Sequence, residues 1–343
     1  MTTVRLGLTG DVMLGRLVDQ DLADPRTVPA EIWGDLLPVF AAVDVRLINL
    51  ECVIATTGQP DPERVFHFRA RPRALEVLRA AHVDFVGLAN NHVLDYGQDA
   101  FVECLSLLSA HGIVASGAGR TIDEAAAPTF VRVGARTLAV VAFTDNDPEW
   151  AADPARPGVS YVAYGPDGLH PAYRDRLAAS LVAARAHADV VAACAHVGPN
   201  WGTPSRAMRA LAHQTIALGA DVYWGHSNHA VQAIEFYRQG VILYSTGDFL
   251  DDYIVDPDER NDLSLFFAVA LQPGRAPEVR MYPVQIRDRR VRRASGRDAD
   301  WLCARLRDLS APYGTAVSLE DTVLNAVPAQ AAEGEAGGRS CET

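Results

Sequence analysis

Short apolar runs alternate with helix-like stretches along most of the chain. Val4–Leu8, Val45–Leu50, Phe85–Leu88, Leu138–Phe143, Val190–Cys194 and Val222–Trp224 are brief and rich in β-branched or aromatic side chains, which predicts buried strands. Between them, Pro72–Ala81, Asp99–His111, Pro171–His187 and Ser205–Leu218 predict helices. In the last, apolar residues at 208, 211, 212, 216 and 218 keep close to a 3.6-residue period. From Val231 the pattern changes to strands only: Val231–Phe236, Val241–Tyr244, Leu265–Leu271 and Glu278–Ile286. Alternation of β and α followed by consecutive strands predicts an α/β sandwich of layered sheets with helices outside. A terminal helical region is expected around Asp300–Leu309 and Ser318–Val327, giving a single domain over 1–328 with its core at 4–286. Residues 329–343 have the composition of a disordered tail.

Composition narrows the chemistry. The 343 residues carry 31 basic side chains and 43 acidic ones, a net charge of −12, and every basic residue is arginine. Without lysine there is no internal aldimine to pyridoxal phosphate and no P-loop lysine for a nucleotide phosphate. An acidic chain is a poor match to nucleic acid. No apolar run approaches the ~18 residues of a membrane span, and the start runs directly into a strand pattern, so neither an anchor nor a signal peptide is expected. The cysteines at 52, 104, 194, 303 and 341 show no CxxC pairing and suit a reduced, cytoplasmic protein.

Polar residues gather just past the strand ends. Asp11 follows the first strand in TGDVMLGR, and Asn49 and Glu51 close the second in NLEC. Asn90, Asn91, His92 and Asp95 follow the third in ANNHVLDYG. His196 ends the strand before GPNW, and His226 and His229 follow Val222–Trp224 in GHSNHAVQ. Ligands of open α/β sheets bind outside the carboxyl ends of strands, so carboxylate, carboxamide and imidazole groups on five such ends suggest a metal site. Singly, each has a blander explanation: Asp11 as a helix N-cap, Asn91 as a turn residue, His92 as a core histidine, His226 and His229 as loop residues. Five together are hard to explain that way.

The blocks GDVMLGR, NLE, LANNHVLDYG, AHVGPNWG, GHSNHAVQ and YSTGDF resemble the motif series of the CapA family. These are capsule and poly-γ-glutamate synthesis proteins related to calcineurin-like metallophosphoesterases. The resemblance spans about residues 4–286 and implies an αββα sandwich of two mixed β-sheets with a metal centre at the sheet edges. Carried over, Asp11, Glu51, Asn91, His196 and His226 match the metal-binding positions, and His92 matches the general acid. His229 matches the CapA pattern but not the phosphoesterase one. Departures stand out too. Met13 replaces the histidine of the opening D-x-H, Asn49-Leu50-Glu51 replaces the second acidic block, and the acid of the third is displaced to Asp95. Loss of an imidazole with retention of oxygen donors suits Ca²⁺, or Mg²⁺ or Mn²⁺, and puts two-metal ester hydrolysis in doubt.

The remaining groups suit proton transfer. His92 and Asp95 lie three apart, so the carboxylate can orient the imidazole; His229, with Asp11 as a candidate partner, offers a second acid–base unit. Two opposed units are what inversion of a Cα centre needs. Some CapA-like relatives are lasso-peptide epimerases, and a chain expected to be soluble and unanchored resembles that group. A metal-dependent peptide epimerase is therefore expected, with a metallophosphoesterase, a γ-glutamyl or peptide hydrolase, or a non-catalytic accessory protein of polymer synthesis as alternatives. Trp150, Trp201 and Tyr253 are candidates for an aromatic substrate pocket, and Arg16 for a substrate carboxylate. Each also has a structural role open to it, as loop packing or surface charge. A two-thiol mechanism through Cys52 and Cys194 is the weaker option, since Cys194 reads as strand core. The arginine-rich run 287–293 reads as a solvated strand end rather than a phosphate site.

Overall fold

A computed structural model describes residues 3–329 apart from Pro273. Its principal elements begin with β1 (Val4–Val12), α1 (Arg16–Ala23), β2 (Val45–Leu50), α2 (Ala74–Ala80), β3 (Phe85–Gly87), α3 (Gly97–Ala110) and β4 (Val114–Ser116). They continue with β5 (Thr129–Val133), β6 (Arg136–Thr144), α4 (Pro171–His187), β7 (Val190–His196), α5 (Arg206–Ala217) and β8 (Val222–His226). Strands then dominate: β9 (Ile234–Tyr237), β10 (Gly240–Leu243), β11 (Asp248–Leu250), β12 (Leu263–Leu271), β13 (Glu278–Arg287) and β14 (Arg290–Arg293). Helix α6 (Arg297–Ser310) and a hairpin of β15 (Thr315–Glu320) and β16 (Val323–Pro328) close the described chain.

Two sheets result. The first has ten strands, in order β15-β16-β13-β12-β1-β2-β3-β4, with β11 added beside β1 and β14 beside β13. The second has six, in order β9-β10-β8-β7-β6-β5. The β1–β4 side of the first sheet and the centre of the second are parallel, so the carboxyl ends of β1, β2 and β3 emerge together, as do those of β6, β7 and β8. Side chains alternate across a strand, so each sheet has two faces to bury. Leu8, Leu47 and Phe85 meet Val140, Trp224 and Leu243 between the sheets. The other face of the first sheet packs Ile48, Leu50 and Val86 on Trp33, Leu78 and Phe101. The other face of the second packs Val191 and Tyr223 on Leu181, Leu211 and Ile216. The layers are therefore helix, sheet, sheet, helix, the αββα sandwich expected.

Helix boundaries follow local chemistry. Ser205 caps α5 by accepting the Met208 N–H, and Pro171 occupies the first turn of α4, where a missing N–H costs nothing. Ser318–Val327, expected as helix, instead forms most of the terminal hairpin. Val317 and Leu319 alternate with more exposed neighbours, as do Leu324 and Ala326, and Asp321 takes the left-handed turn (φ 54°) between the two strands. Such a period of two buries one face of a ribbon, and β16 uses it to pair with β13 through Val279 and Ala326. The tail expected from 329 lies outside the described residues from 330 onward. The arginine-rich run is a strand end, as expected: Arg289 pairs with Asp21 at 2.7 Å, and the Arg293 N–H binds Asp35.

Candidate metal and acid–base site

Asp11 sits near the end of β1, where the ladder to β2 slips between Leu8 and Asp11. It is no helix cap; α1 begins after Gly15, which makes no side-chain cap. The slip sets Asp11 opposite Asn49 of β2 and Asp248 of β11. Asn49 Nδ2 donates to Asp11 Oδ1 at 2.7 Å. From the second sheet, register places His196 beside His226 at the ends of β7 and β8. His196 Nδ1 lies 3.6 Å from Asp11 Oδ1, while its Nε2 faces Asn91 Oδ1 at 2.9 Å and Glu51 Oε1 at 3.8 Å. All five residues assigned to the metal by resemblance are thus gathered at one seam between the sheets. Met13, in the place of the missing histidine, is fully buried, and its Sδ accepts the Gly15 N–H.

The electrostatics favour a cation. Burial opposes charge on Asp11, but the imidazoles of His196, His226 and His229 outweigh it and hold the carboxyl at about 2. Burial pushes His226 down to about 3, so it stays neutral, the form in which imidazole binds metals. Neither ring nitrogen of the fully buried His226 makes a well-formed hydrogen bond. Burial, with Asp11 next to it, raises the Glu51 carboxyl well above the usual range. A buried polar atom without a partner costs free energy, and a divalent ion would supply the missing partner. Donor atoms of Asp11, His196 and His226 all lie within 4.8 Å of one another, so these residues fit a divalent cation.

Two imidazole–carboxylate dyads border this centre. His92 Nδ1 bonds Asp95 Oδ2 at 2.7 Å, as the spacing suggested. Burial lowers the His92 pKa against the opposing pull of Asp95. His229 Nδ1 bonds Asp248 Oδ1 at 2.8 Å; the carboxylate facing it is Asp248 rather than Asp11. Burial works against the His229 imidazolium, but Asp248, with Glu51 and Asp11 beyond, outweighs it and lifts the pKa to about 10. Asp11, His229 and Asp248 form a second close group of donor atoms. Asp248 was not singled out from the sequence, although the acid directly after Gly247 in YSTGDF marks another strand at the same edge.

Both dyads open onto a cleft of about 690 Å³. Phe68 stacks on His92 (centroids 3.8 Å) and neighbours Tyr253 (5.7 Å), whose ring lies 5.3 Å from His229. The Phe68–Tyr253 pair therefore stands between the dyads. The Tyr253 hydroxyl donates to Glu51 Oε2 at 3.2 Å. Trp201 is 5.4 Å from His229 and partly exposed, and Trp150 lies under the Arg64 guanidinium at 3.9 Å. Arg16 lines the same cleft, but Asp252 already holds its Nε at 3.3 Å. Cys52 and Cys194 belong to separate cores, and burial raises both thiols, which removes the two-thiol option.

With this geometry in view, one match decides the family. Residues 5–253 match the family described as Bacterial capsule synthesis protein PGA_cap. The chain belongs to that family. It is 32% identical to a probable polyglutamine synthesis accessory protein of Mycobacterium tuberculosis, covering 96% of this chain and 97% of that one. It is 28% identical to the PGA biosynthesis protein CapA of Bacillus subtilis, over 71% of this chain and 62% of that protein. The solved structure of a hypothetical protein from Thermus thermophilus superposes with a TM-score of 0.50 at 16% identity, covering 83% of this chain and 100% of that one. That last likeness is one of fold alone. The PGA_cap match contains both dyads and every metal-binding candidate, and it ends before β12, α6 and the terminal hairpin. Among the described residues no helix is long and apolar enough to cross a membrane.

Proposed function

We propose that the chain is a metal-dependent acid–base enzyme that inverts a Cα centre in a ribosomally made peptide. The observation that supports this most is the pair of His–carboxylate dyads, His92–Asp95 and His229–Asp248, opening onto one cleft on either side of Phe68 and Tyr253. Inversion needs one group to take the Cα proton and a second to return a proton to the opposite face. Each imidazole has its Nδ1 held by a carboxylate, so its Nε2 is the atom free to exchange a proton with substrate. Asp95 and Asp248 fix the ring orientation and tautomer. Asp11, Glu51, Asn91, His196 and His226 would hold the cation, whose chemistry is to stabilise negative charge on the substrate carbonyl. The oxygen donors suit Ca²⁺, the paired imidazoles suit Mn²⁺, and metal analysis of the purified protein chooses between them. The four cysteines among the described residues are buried and free, which supports a cytoplasmic site of action.

The test is solvent exchange. A candidate precursor peptide incubated with metal-loaded protein in D₂O should gain deuterium at one Cα and change configuration there. No incorporation at any Cα overturns the reading. His92→Ala and His229→Ala should each lower inversion about 10²–10⁴-fold. One of the two should still wash deuterium in without inverting.

A second reading is hydrolysis of a phosphoester, γ-glutamyl or peptide bond. It is favoured by the compact Asp11–His196–His226 group with His92 nearby. The Mycobacterium and Bacillus relatives are named for polyglutamine and PGA synthesis, which also makes an accessory role in polymer assembly a candidate. Metal-dependent turnover of a chromogenic phosphodiester or γ-glutamyl peptide, lost in Asp11→Ala, would select hydrolysis.

A further inference from the structure

Apolar and acidic groups together line the mouth of the cleft. Ten large apolar side chains are well exposed among the described residues, and four of them, Val65, Phe66, Trp201 and Ile254, line this one cleft. Val65 is 85% and Ile254 93% exposed, values that serve no internal packing. Apolar exposure gathered around a single opening marks a contact surface rather than chance. The segment bearing Val65 and Phe66 is tied to the acid–base site. Asp95 accepts the Phe68 N–H at 2.7 Å, its carbonyl accepts the Asp61 N–H at 2.9 Å, and Phe68 stacks on His92. Upstream, the Glu103 carboxylate holds the N–H and hydroxyl groups of Thr56 and Thr57. An apolar loop held this firmly is preorganised, so little ordering cost falls on binding.

Charge says what kind of chain fits. Asp61, Glu63, Asp147 and Glu149 line the cleft against Arg16 and Arg64. Both arginines are already engaged: Arg16 by Asp252, and Arg64 by Asp147 at 2.6 Å while stacked on Trp150. The uncompensated charge at the mouth is negative, which repels a polyanion or an anionic bilayer and attracts a neutral or basic chain. We infer that the mouth recognises a neutral or basic peptide whose apolar side chains flank the reacting residue. Val65, Phe66 and Ile254 are its specificity contacts, and poly-γ-glutamate is excluded. The inference rests on the proposed peptide substrate and adds the class of peptide taken.

Selection from a displayed library of random peptides tests it on the intact protein without requiring turnover. Sequences combining apolar residues with arginine or lysine should be enriched. Their affinity should fall about tenfold or more in Val65→Ser/Phe66→Ser and in Ile254→Ser, at unchanged melting temperature. Poly-γ-glutamate should not compete. Enrichment of acidic sequences, no enrichment at all, competition by poly-γ-glutamate, or wild-type affinity in the variants overturns the inference. So does Phe66-dependent capture on anionic vesicles. A selected peptide that binds yet exchanges no Cα proton leaves recognition standing and sinks only the inversion chemistry. Exchange of an acidic peptide does the reverse.

Discussion

His229 and Asp248 meet at 2.8 Å where burial disfavours a charge on either alone, and together they stabilise each other as ions. In metal-free protein, the His229 pKa rises from the usual 6.5 to about 10. A raised folded pKa adds stability that is complete below the unfolded value and is lost as pH rises through the folded one. Chelator-treated protein should therefore lose stability between about pH 6.5 and about pH 10 from this pair. Asp248→Asn should flatten that loss, read as melting temperature against pH. Asp248 also marks where the sequence falls short at this scale. His92 and Asp95 could be paired from their spacing alone, but Asp248 belongs to a three-residue strand, and only its parallel register with β1 brings it beside Asp11. Pairing across distant strands leaves no local period to read.

At the scale of elements, the spacing of the sheets at the site depends on a glycine. A Cβ at Gly87 of β3 would meet the Cys194 Sγ of β7 at 2.6 Å and Asn49 Oδ1 at 3.3 Å. Gly87→Ala should cost roughly 1–3 kcal/mol by overpacking. Cys194→Ala in the same chain should recover part of it, a coupling that denaturant unfolding of both singles and the double measures. The Glu103 cage on Thr56 and Thr57 is the other local anchor. Glu103→Ala should lower stability by about 1–2 kcal/mol and weaken peptide binding through the loop rather than through contact. The central strands and the long helices were legible because burial on one or both faces leaves a clear apolar pattern. The terminal hairpin was not. Each strand is only six residues long, too short to separate a period of two from one of 3.6.

For the whole molecule, the division of the site between two sheets has a thermodynamic consequence. Asp11 lies near the end of β1, and Glu51 and Asn91 follow strands of the same sheet, while His196 and His226 end strands of the second. Near them the sheets are joined by the Trp224 indole donating to Thr9 O at 2.8 Å and by Thr246 Oγ1 bonding Thr9 O and Gly225 O. An ion bound by Asp11, His196 and His226 ties the sheets at a point where the protein alone leaves His226 without a partner. Binding to the folded state only raises stability by about 2.7 kcal/mol at a ligand concentration of a hundred times Kd. Adding a divalent ion that fits this site to chelated protein should therefore raise the melting temperature of the whole cooperative transition. The rise should persist in His92→Ala, whose side chain lies outside the donor group, and should vanish in Asp11→Ala and His226→Ala. A rise confined to a minor early transition, or equal in all three variants, would place the ion away from the seam.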